Sequence, residues 1–414
     1  MASSTSAWLE PAAPVDVLVV GAGPGGSAAA AHFARAGFTV TAVDRAAFPR
    51  DKACSEYMSP EAVRLLDRLG VVAELEALGA APLHGTHVIG ARGNRLHGRF
   101  VRAGVAPFRP TGLSLARCRL DDALVRAARS AGAEVLERTA VEALLYERGA
   151  VAGALVRDAD GRRRAIRARL TLGADGLRSL VARRLGPRRY GAPRRLAFVA
   201  HVDGVDGMGD SAEMHVGGRG YVGLNPLGGG RTNVALVVPA GRGGEARGRA
   251  EEFFLETLRA FPGLHERLAG GRLARRVLAT GPFAAWSGTV TADGAALLGD
   301  AADFFDPFTG EGIYSALRGA ELLAETAGPL LERRGPVTAA GLAGYRRARR
   351  RAFAGKWAVE RLIGYGMLFP TLFDHAVERL GRRAGMADTL IGVTGDFVPA
   401  RRVLNPLFLA RMLL

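Results

Sequence analysis

Apolar runs and helix-length patterns alternate through the first 45 residues. Val15–Val20 is an unbroken apolar run of the length of a buried parallel strand, and it leads straight into Gly21-Ala22-Gly23-Pro24-Gly25-Gly26. Ser27 to Ala36 is rich in alanine and helix-forming, and Gly37 stops it. Phe38 to Val43 reads as a second strand with Asp44 at its end, which completes a strand–helix–strand unit. Helical patterns follow over Pro60–Leu69 and Val71–Leu78, then a Gly-, Pro- and Arg-rich stretch of short strands and loops from Pro82 to Pro110. Leu120 to Ala131 is amphipathic, with Leu120, Leu124 and Ala127 on one face.

Beyond it the pattern turns to strands, at Val135–Leu136, Val141–Tyr146, Val151–Arg157 and Arg164–Leu172, with Asp160-Gly161 as the turn between the last two. Strand-like alternation continues from Arg188 to Ala279, interrupted by a helix at Glu251–Ala260. Ala295–Leu298 reads as one more buried strand, and a helix runs from Gly312 to about Leu331. From Thr338 on the pattern is mostly helical, broken at Pro370, Pro399 and Pro406. No internal repeat is evident.

This order predicts an α/β protein. Residues 14–185 and 276–335 form a discontinuous Rossmann-like, three-layer nucleotide-binding domain, with 82–110 assignable to it or to the second domain. Residues 186–275 form a β-rich substrate domain, and 336–414 a helical C-terminal region.

Composition adds exclusions. The 414 residues contain no apolar run long enough for a membrane span, and Met1–Pro14 lacks the cationic start and apolar centre of a secretory signal. Two cysteines, Cys54 and Cys118, cannot build a disulfide framework, so a cytoplasmic location is expected. The net charge of +16 comes from arginine, since Lys52 and Lys356 are the only lysines. The basic residues are scattered without interleaved aromatics, so no nucleic-acid site is expected. From Leu331 to Leu414 there are 15 basic and 6 acidic residues, a balance suited to an anionic membrane surface or an acidic protein, a carrier or an electron donor.

Neither lysine stands in a phosphate-loop context, no GxSxG elbow occurs, and His84 and His87 have no partners at metal-ligand spacing. No metal is expected. Gly21, Gly23 and Gly26 suit a turn that brings backbone amides and a helix N-terminus, opened by Pro24 and Gly25, against a pyrophosphate. Asp44, eighteen residues beyond Gly26, is placed to bind an adenosine ribose, with Arg45 beside it. An acid there argues against a 2′-phosphate. A second match, Gly218 to Gly223, is followed by Leu224-Asn225-Pro226 rather than a helix and reads as a loop. One such unit leaves NAD and FAD both open.

Three further segments carry a resemblance. Gly173-Ala174-Asp175-Gly176-x-x-Ser179 resembles the GADGxxS segment of flavoprotein aromatic hydroxylases. Gly299-Asp300-Ala301-Ala302 with Asp306-Pro307-Phe308-Thr309-Gly310-Glu311-Gly312-Ile313 resembles their second flavin motif, and Arg117-x-x-Leu120-Asp121 their Arg-x-x-Phe/Leu-Asp helix start. Phe48 to Cys54 resembles the RDKxCG segment of the geranylgeranyl-reductase-like branch. That branch's CGG or CGE is Cys54-Ser55-Glu56 here, and its YxWxFP motif is Tyr221-Val222-Gly223-Leu224-Asn225-Pro226. The halogenases' GWxWxIP motif and a counterpart of their catalytic lysine are missing.

The resemblance implies an FAD-dependent oxidoreductase. Arg117 would lie near the FAD phosphates, and Asp175, Gly299 and Asp300 would join in binding, Asp300 at the ribityl hydroxyls. The backbone from Gly310 through Gly312 to Ile313 would face the flavin ring. Cys54, Pro307, Gly310 and Glu311 would form the ring's surroundings, with Cys54 either a contact or proton donor or a small apolar thiol. Lys52 and Arg50 are expected as solvated residues, or as counter-charges to a phosphate or substrate.

The leading expectation is an NAD(P)H-dependent monooxygenase that hydroxylates or epoxidises a lipophilic or phenolic metabolite through a flavin C4a-hydroperoxide. NAD(P)H would bind transiently in the same cleft. The alternatives are a reductase of isoprenoid or polyene double bonds and, more remotely, a flavin-free lipid-binding protein. Two apolar stretches, Phe353–Val377 and Arg401–Leu409, fit helical core packing and also suit a lipophilic tunnel or an interfacial surface at the inner face of a membrane.

Overall fold

A computed structural model describes residues 13 to 413 apart from Pro262, so most of the segment read above for a secretory signal lies outside the described residues. The expected strand–helix–strand unit is present: strand Val15–Val20, helix Pro24–Arg35 and strand Val40–Val43. The glycine turn works by exclusion. Gly21 has φ +97°, and a Cβ on Gly26 would stand 1.8 Å from the Gly21 carbonyl oxygen, so neither position admits a side chain.

Val15–Val20 pairs in parallel with Val40–Val43 on one side and Arg163–Gly173 on the other. Glu134–Leu136 and Ala295–Leu297 extend this parallel sheet at its two flanks. Helices Pro24–Arg35, Arg117–Ser130 and Gly312–Leu331 share one apolar core on one face, with Val17, Val19, Phe33, Leu124 and Leu323 in it. On the other face the Ala140–Glu147, Ala150–Arg157 and Arg163–Gly173 meander contributes Leu144, Ala154 and Val156 to a second core with Leu18 and Val20. Alternation of Val17 and Val19 against Leu18 and Val20 makes this sheet apolar on both faces, as a covered parallel sheet requires. The result is a three-layer α/β domain.

The second sheet is wider than 186–275. Its strands run Arg272–Leu273, Arg195–Asp203, Arg231–Pro239, Gly220–Gly228, Ala212–Gly217, Gly85–Ile89 and Arg95–Arg99, with Leu278–Thr280 also pairing with Arg195–Asp203. Residues 85–99 thus join the second sheet, since Gly85–Ile89 pairs in parallel with Ala212–Gly217. The Gly218–Gly223 match lies in the hairpin between the Ala212–Gly217 and Gly220–Gly228 strands, where no helix follows.

The C-terminal region is helical, at Ala343–Gly366, Pro370–Gly381, Ala384–Thr394 and Pro406–Leu413. Pro370 and Pro406 open helices, where their missing N–H costs nothing. The apolar stretch 353–377 is split rather than simply packed. Val359 and Met367 are buried, whereas Leu362, Tyr365, Leu368, Phe369 and Leu372 are exposed, Phe369 to 61%. Arg401–Leu409 is split too: Val403 is buried and Leu407 is exposed. Helical core packing therefore accounts for only part of either stretch. No described helix is long and apolar enough to cross a membrane.

Candidate functional site

A cavity of about 380 Å³ lies between the two sheets, and the residues lining it come from both domains and the C-terminal helices. At its nucleotide end stand Gly23, Pro24, Gly25, Arg45, Gly299 and Asp300. A Cβ built on Gly23 would meet only an Arg50 nitrogen, at 3.8 Å, so the backbone there opens onto space that a diphosphate's oxygens can approach. Gly21, Gly26 and Asp44 are not part of this lining: the two glycines shape the turn from behind. Asp44 ties the turn together, its carboxylate accepting from the backbone N–H of Ala22 at 2.9 Å and of Ala46 at 2.9 Å.

Arg117 lines the cavity from the first turn of the Arg117–Ser130 helix, three residues before the predicted start. Asp121, one turn on, holds its guanidinium in a bidentate pair, Nε–Oδ1 2.7 Å and Nη2–Oδ2 2.8 Å. Arg50 is not a free surface residue, because its Nη1 donates to the same carboxylate at 3.0 Å. Nor is Lys52, which lines the cavity, where burial and the neighbouring Arg117 charge push its ammonium below the ordinary lysine range. Burial raises the Asp300 carboxyl, opposed by Lys52 and Arg117. This end therefore brings Lys52, Arg45 and the Asp121-paired Arg117 close to Asp300, with Lys52 and Arg45 available to an anionic ligand.

Asp175 lines the cavity, yet its carboxylate is spent on the neighbouring helix, accepting from Ser179 Oγ at 2.5 Å and from the Leu180 N–H at 2.6 Å. Pro307, Gly310, Gly312 and Ile313 line the middle of the cavity. Gly310, at φ +74°, lies so close to Tyr57 that a Cβ would stand 2.8 Å from the ring. Glu311 does not join them. Its carboxyl is buried away from the cavity and accepts from Ser59 Oγ at 3.2 Å, because here the chain turns its backbone rather than this side chain to the cavity. Burial raises that carboxyl well above the carboxylate range, with Lys356 opposing.

Cys54 lines the cavity, half-buried, and its sulfur accepts from the Glu56 N–H at 3.4 Å. The loop carrying it is clamped to the second sheet. Asn233 Nδ2 donates to the carbonyls of Cys54 (3.0 Å) and Ser55 (2.9 Å), Asn225 Nδ2 donates to that of Ser55 (3.0 Å), and Glu56 Oε2 is 2.7 Å from His201 Nε2. The far wall is apolar, with Val88, Val199, Met214, Ala235, Val237 and Phe283 among its residues. Tyr221 stands there too, its hydroxyl donating to Asp306 at 2.6 Å while Asp306 pairs with Arg195 at 2.5 Å.

Glu56, His201, Asn233 and the Arg195–Asp306–Tyr221 group were not legible as site residues. Glu56, Tyr221 and Asp306 fall within motif segments without a role of their own there, and His201, Asn233 and Arg195 show in the sequence only as polar residues within or at the start of an apolar strand. Among the described residues no group of three or more His, Cys, Asp or Glu is arranged to hold a metal.

A nucleotide cradle joined to an apolar chamber defines a dinucleotide-dependent redox protein, and comparison with known proteins narrows the class. Residues 14–358 match the family model of the FAD binding domain, and the chain belongs to that family. It is 32% identical over 328 residues to a menaquinone reductase of Mycobacterium tuberculosis, covering 75% of this chain and 76% of that protein. It is 31% identical over 377 residues to a digeranylgeranylglycerophospholipid reductase of Methanospirillum hungatei, covering 87% of this chain and 86% of that protein. Among solved structures, the myxobacterial chondrochloren halogenase superposes with a TM-score of 0.80 at 24% identity, covering 86% of this chain and 83% of the other, which shows a shared fold. The protein is an FAD-dependent oxidoreductase by family. The residues around the cavity fit that cofactor: the open backbone at Gly23, the Asp300 carboxylate and the side chains of Lys52, Arg45 and Arg117 line the same cavity.

Proposed function

We propose that this protein is an FAD-dependent reductase that saturates a carbon–carbon double bond in a lipophilic substrate held in the apolar chamber. The observation that carries this reading is Cys54, a thiol on the chamber wall at the junction with the nucleotide cradle. The two reductases similar to this chain support it. Bound and reduced FAD would supply the hydride for such a reduction, and the second alkene carbon would need a proton. Cys54 Sγ–H would give that proton and regain one from water afterwards, so electrons and protons balance. Gly23, Pro24, Gly25, Arg117, Asp300, Gly310 and Gly312 would hold the cofactor, with Gly21, Gly26 and Asp44 shaping the turn. The apolar wall excludes water from the reacting end.

Monooxygenation of a phenolic or otherwise hydroxylated lipophile is the second reading, favoured by the polar strip of the second sheet at Thr86 and Asn225. NAD(P)H is the electron donor we propose for either reaction, binding transiently in the same cleft. Anaerobic addition of NADH and NADPH to the holoprotein, followed by the flavin absorption band, tests this first. Bleaching followed by product formation without oxygen supports reduction, whereas product that appears only with oxygen consumption supports monooxygenation. Cys54→Ala is expected to keep FAD and its reduction while slowing alkene turnover; unchanged turnover would remove Cys54 from the reaction.

The exposed ridge of Leu362, Tyr365, Leu368, Phe369 and Leu372 shares its first helix with Ile363, which lines the cavity. In a region with an excess of basic residues, this supports peripheral contact with an anionic membrane, from which a lipophilic substrate enters. Co-sedimentation with phosphatidylglycerol-containing vesicles, but not with pure phosphatidylcholine, is the expected result.

A further inference from the structure

The registers of the second sheet place its inward side chains in rows. Parallel pairing sets Thr86 beside Ala212 and antiparallel pairing sets Asn225, Asn233 and His201 side by side, with Ala212 and Asn225 next to the paired Glu213 and Leu224, so one row crosses five strands. Two residues further along, Val88, Met214, Gly223, Ala235 and Val199 form the next row, and Val216, Tyr221, Val237 and Ala197 the one after. Directly opposed residues share a sheet face. The face therefore grades from polar to apolar in a single step. The Cys54–Glu56 loop lies on the polar row and takes its hydrogen bonds from Asn225 and Asn233, with Glu56 meeting His201.

Asn225 stands out within that row. Its amide nitrogen is pinned to the Ser55 carbonyl, so its oxygen has to face the other way. The residue is 4% exposed and lines the cavity, and Oδ1 finds no hydrogen-bond partner among the described residues. A buried acceptor left unsatisfied is costly, and a native fold keeps one where something else completes it. Asn233 also leaves its Oδ1 unpartnered, but it is not among the residues lining the cavity. Beside Asn225, in the next row, Gly223 presents bare backbone. A Cβ there would approach Met214 Sδ to 3.2 Å, so the strand surface at Gly223 is flat and the first side chain beyond it is Met214.

We infer that Asn225 Oδ1 is a specificity-determining acceptor that reads a hydroxyl or N–H at the loop-proximal end of the substrate. The apolar body of the same molecule lies over Gly223 and against Val88, Met214 and Val199. The substrate class is then an amphipathic lipophile with a donor at its head, such as a phenol or a long-chain alcohol. A pure hydrocarbon, or a head that carries acceptors only, leaves the Asn225 oxygen unpaired. This inference rests on the reading of the chamber as the substrate site of a flavin oxidoreductase, and it holds for reduction and for oxygenation alike.

The test uses the FAD-loaded protein and three probes. Para-octylphenol and para-octylaniline carry donors; para-octylanisole carries an acceptor only. Equilibrium dialysis is expected to show the two donors bound about tenfold more tightly than the anisole, the usual size of one buried hydrogen bond against an unpaired acceptor. Asn225→Ala should bring the three affinities together with FAD content unchanged. Asn233→Ala loses loop contacts without touching the cavity acceptor and should preserve the tenfold ratio. Equal binding of phenol and anisole by the unsubstituted protein overturns the inference whether or not any variant folds, as does a ratio that survives in Asn225→Ala. The underlying oxidoreductase reading fails separately, as a protein that takes up no FAD.

Discussion

The two ends of the cavity are built in opposite ways. The nucleotide end comes from short continuous segments: one turn at Gly21–Gly26, one strand end at Asp44, one loop at Gly299–Ile313. The chamber end comes from single residues on five strands, brought together by sheet register and capped by a loop from the other domain. Local backbone shape decides the first, whereas side-chain identity at paired positions decides the second. Binding of the shared cofactor can thus persist while the chamber changes, because replacing Gly223 or Asn225 alters no backbone path at the cradle.

Substitution within the glycine turn should produce the largest effects. Gly26→Val puts a side chain into the Gly21 carbonyl and is expected to leave little soluble protein. Gly23→Val meets only Arg50 and should fold with the melting temperature of the FAD-free native protein, yet lose FAD on gel filtration. A yellow, stoichiometric Gly23→Val protein would place the diphosphate elsewhere.

Next in size is the chamber's buried ion pair. Asp306→Ala strands Arg195, 5% exposed, and frees the Tyr221 hydroxyl, at a cost of about 3–5 kcal/mol in denaturant unfolding. A loss below about 1 kcal/mol would show that water reaches the pair, since exposed pairs contribute no more than that.

Glu360 gives a smaller, pH-dependent effect. Burial raises its carboxyl to about 7 against the pull of Lys356, with Asp396, Asp303 and Asp306 adding to the rise. A carboxyl harder to ionise in the fold than in the unfolded chain costs stability as pH climbs from the unfolded value, near ~4.3, up to the folded one. Glu360→Gln should therefore gain about 3 kcal/mol over the native protein at pH 8, and nothing at pH 4. Melting curves at the two pH values check this, and an equal shift at both would assign the effect to packing.

The smallest stability change is expected on the outer ridge. Leu368→Ser or Phe369→Ser should alter stability by less than about 0.5 kcal/mol, because each side chain is already half in water or more. The pair together should abolish vesicle co-sedimentation. Retained sedimentation would separate the ridge from any membrane contact.

The contrast between the two ends also marks what was legible in advance. Val15–Val20, the glycine turn and Asp44 are contiguous, and their spacing alone dictates a strand, a tight turn and a helix N-terminus. The helix at Gly312–Leu331 and the hairpin at Asp160-Gly161 were read from local pattern for the same reason. For Lys52 and Arg50 the sequence leaves solvated surface and counter-charge both open, because nothing in their neighbourhood announces Asp121 or Arg117, more than sixty residues away. Glu311 was placed at the cavity by its motif, but the turn directs its carboxyl to Ser59. The apolar run at 353–377 carried no sign of its split between buried and exposed faces.

By itself the sequence determined the nucleotide-binding unit and the family, since these rest on residues close together in the chain whose backbone demands are local. Tertiary structure decided the chamber. Which of Asn225, Asn233 and His201 faces the cavity depends on a register in which a slip of one residue would turn each of them to the opposite face. That register is a property of five strands packed together, and no single segment of the chain contains it.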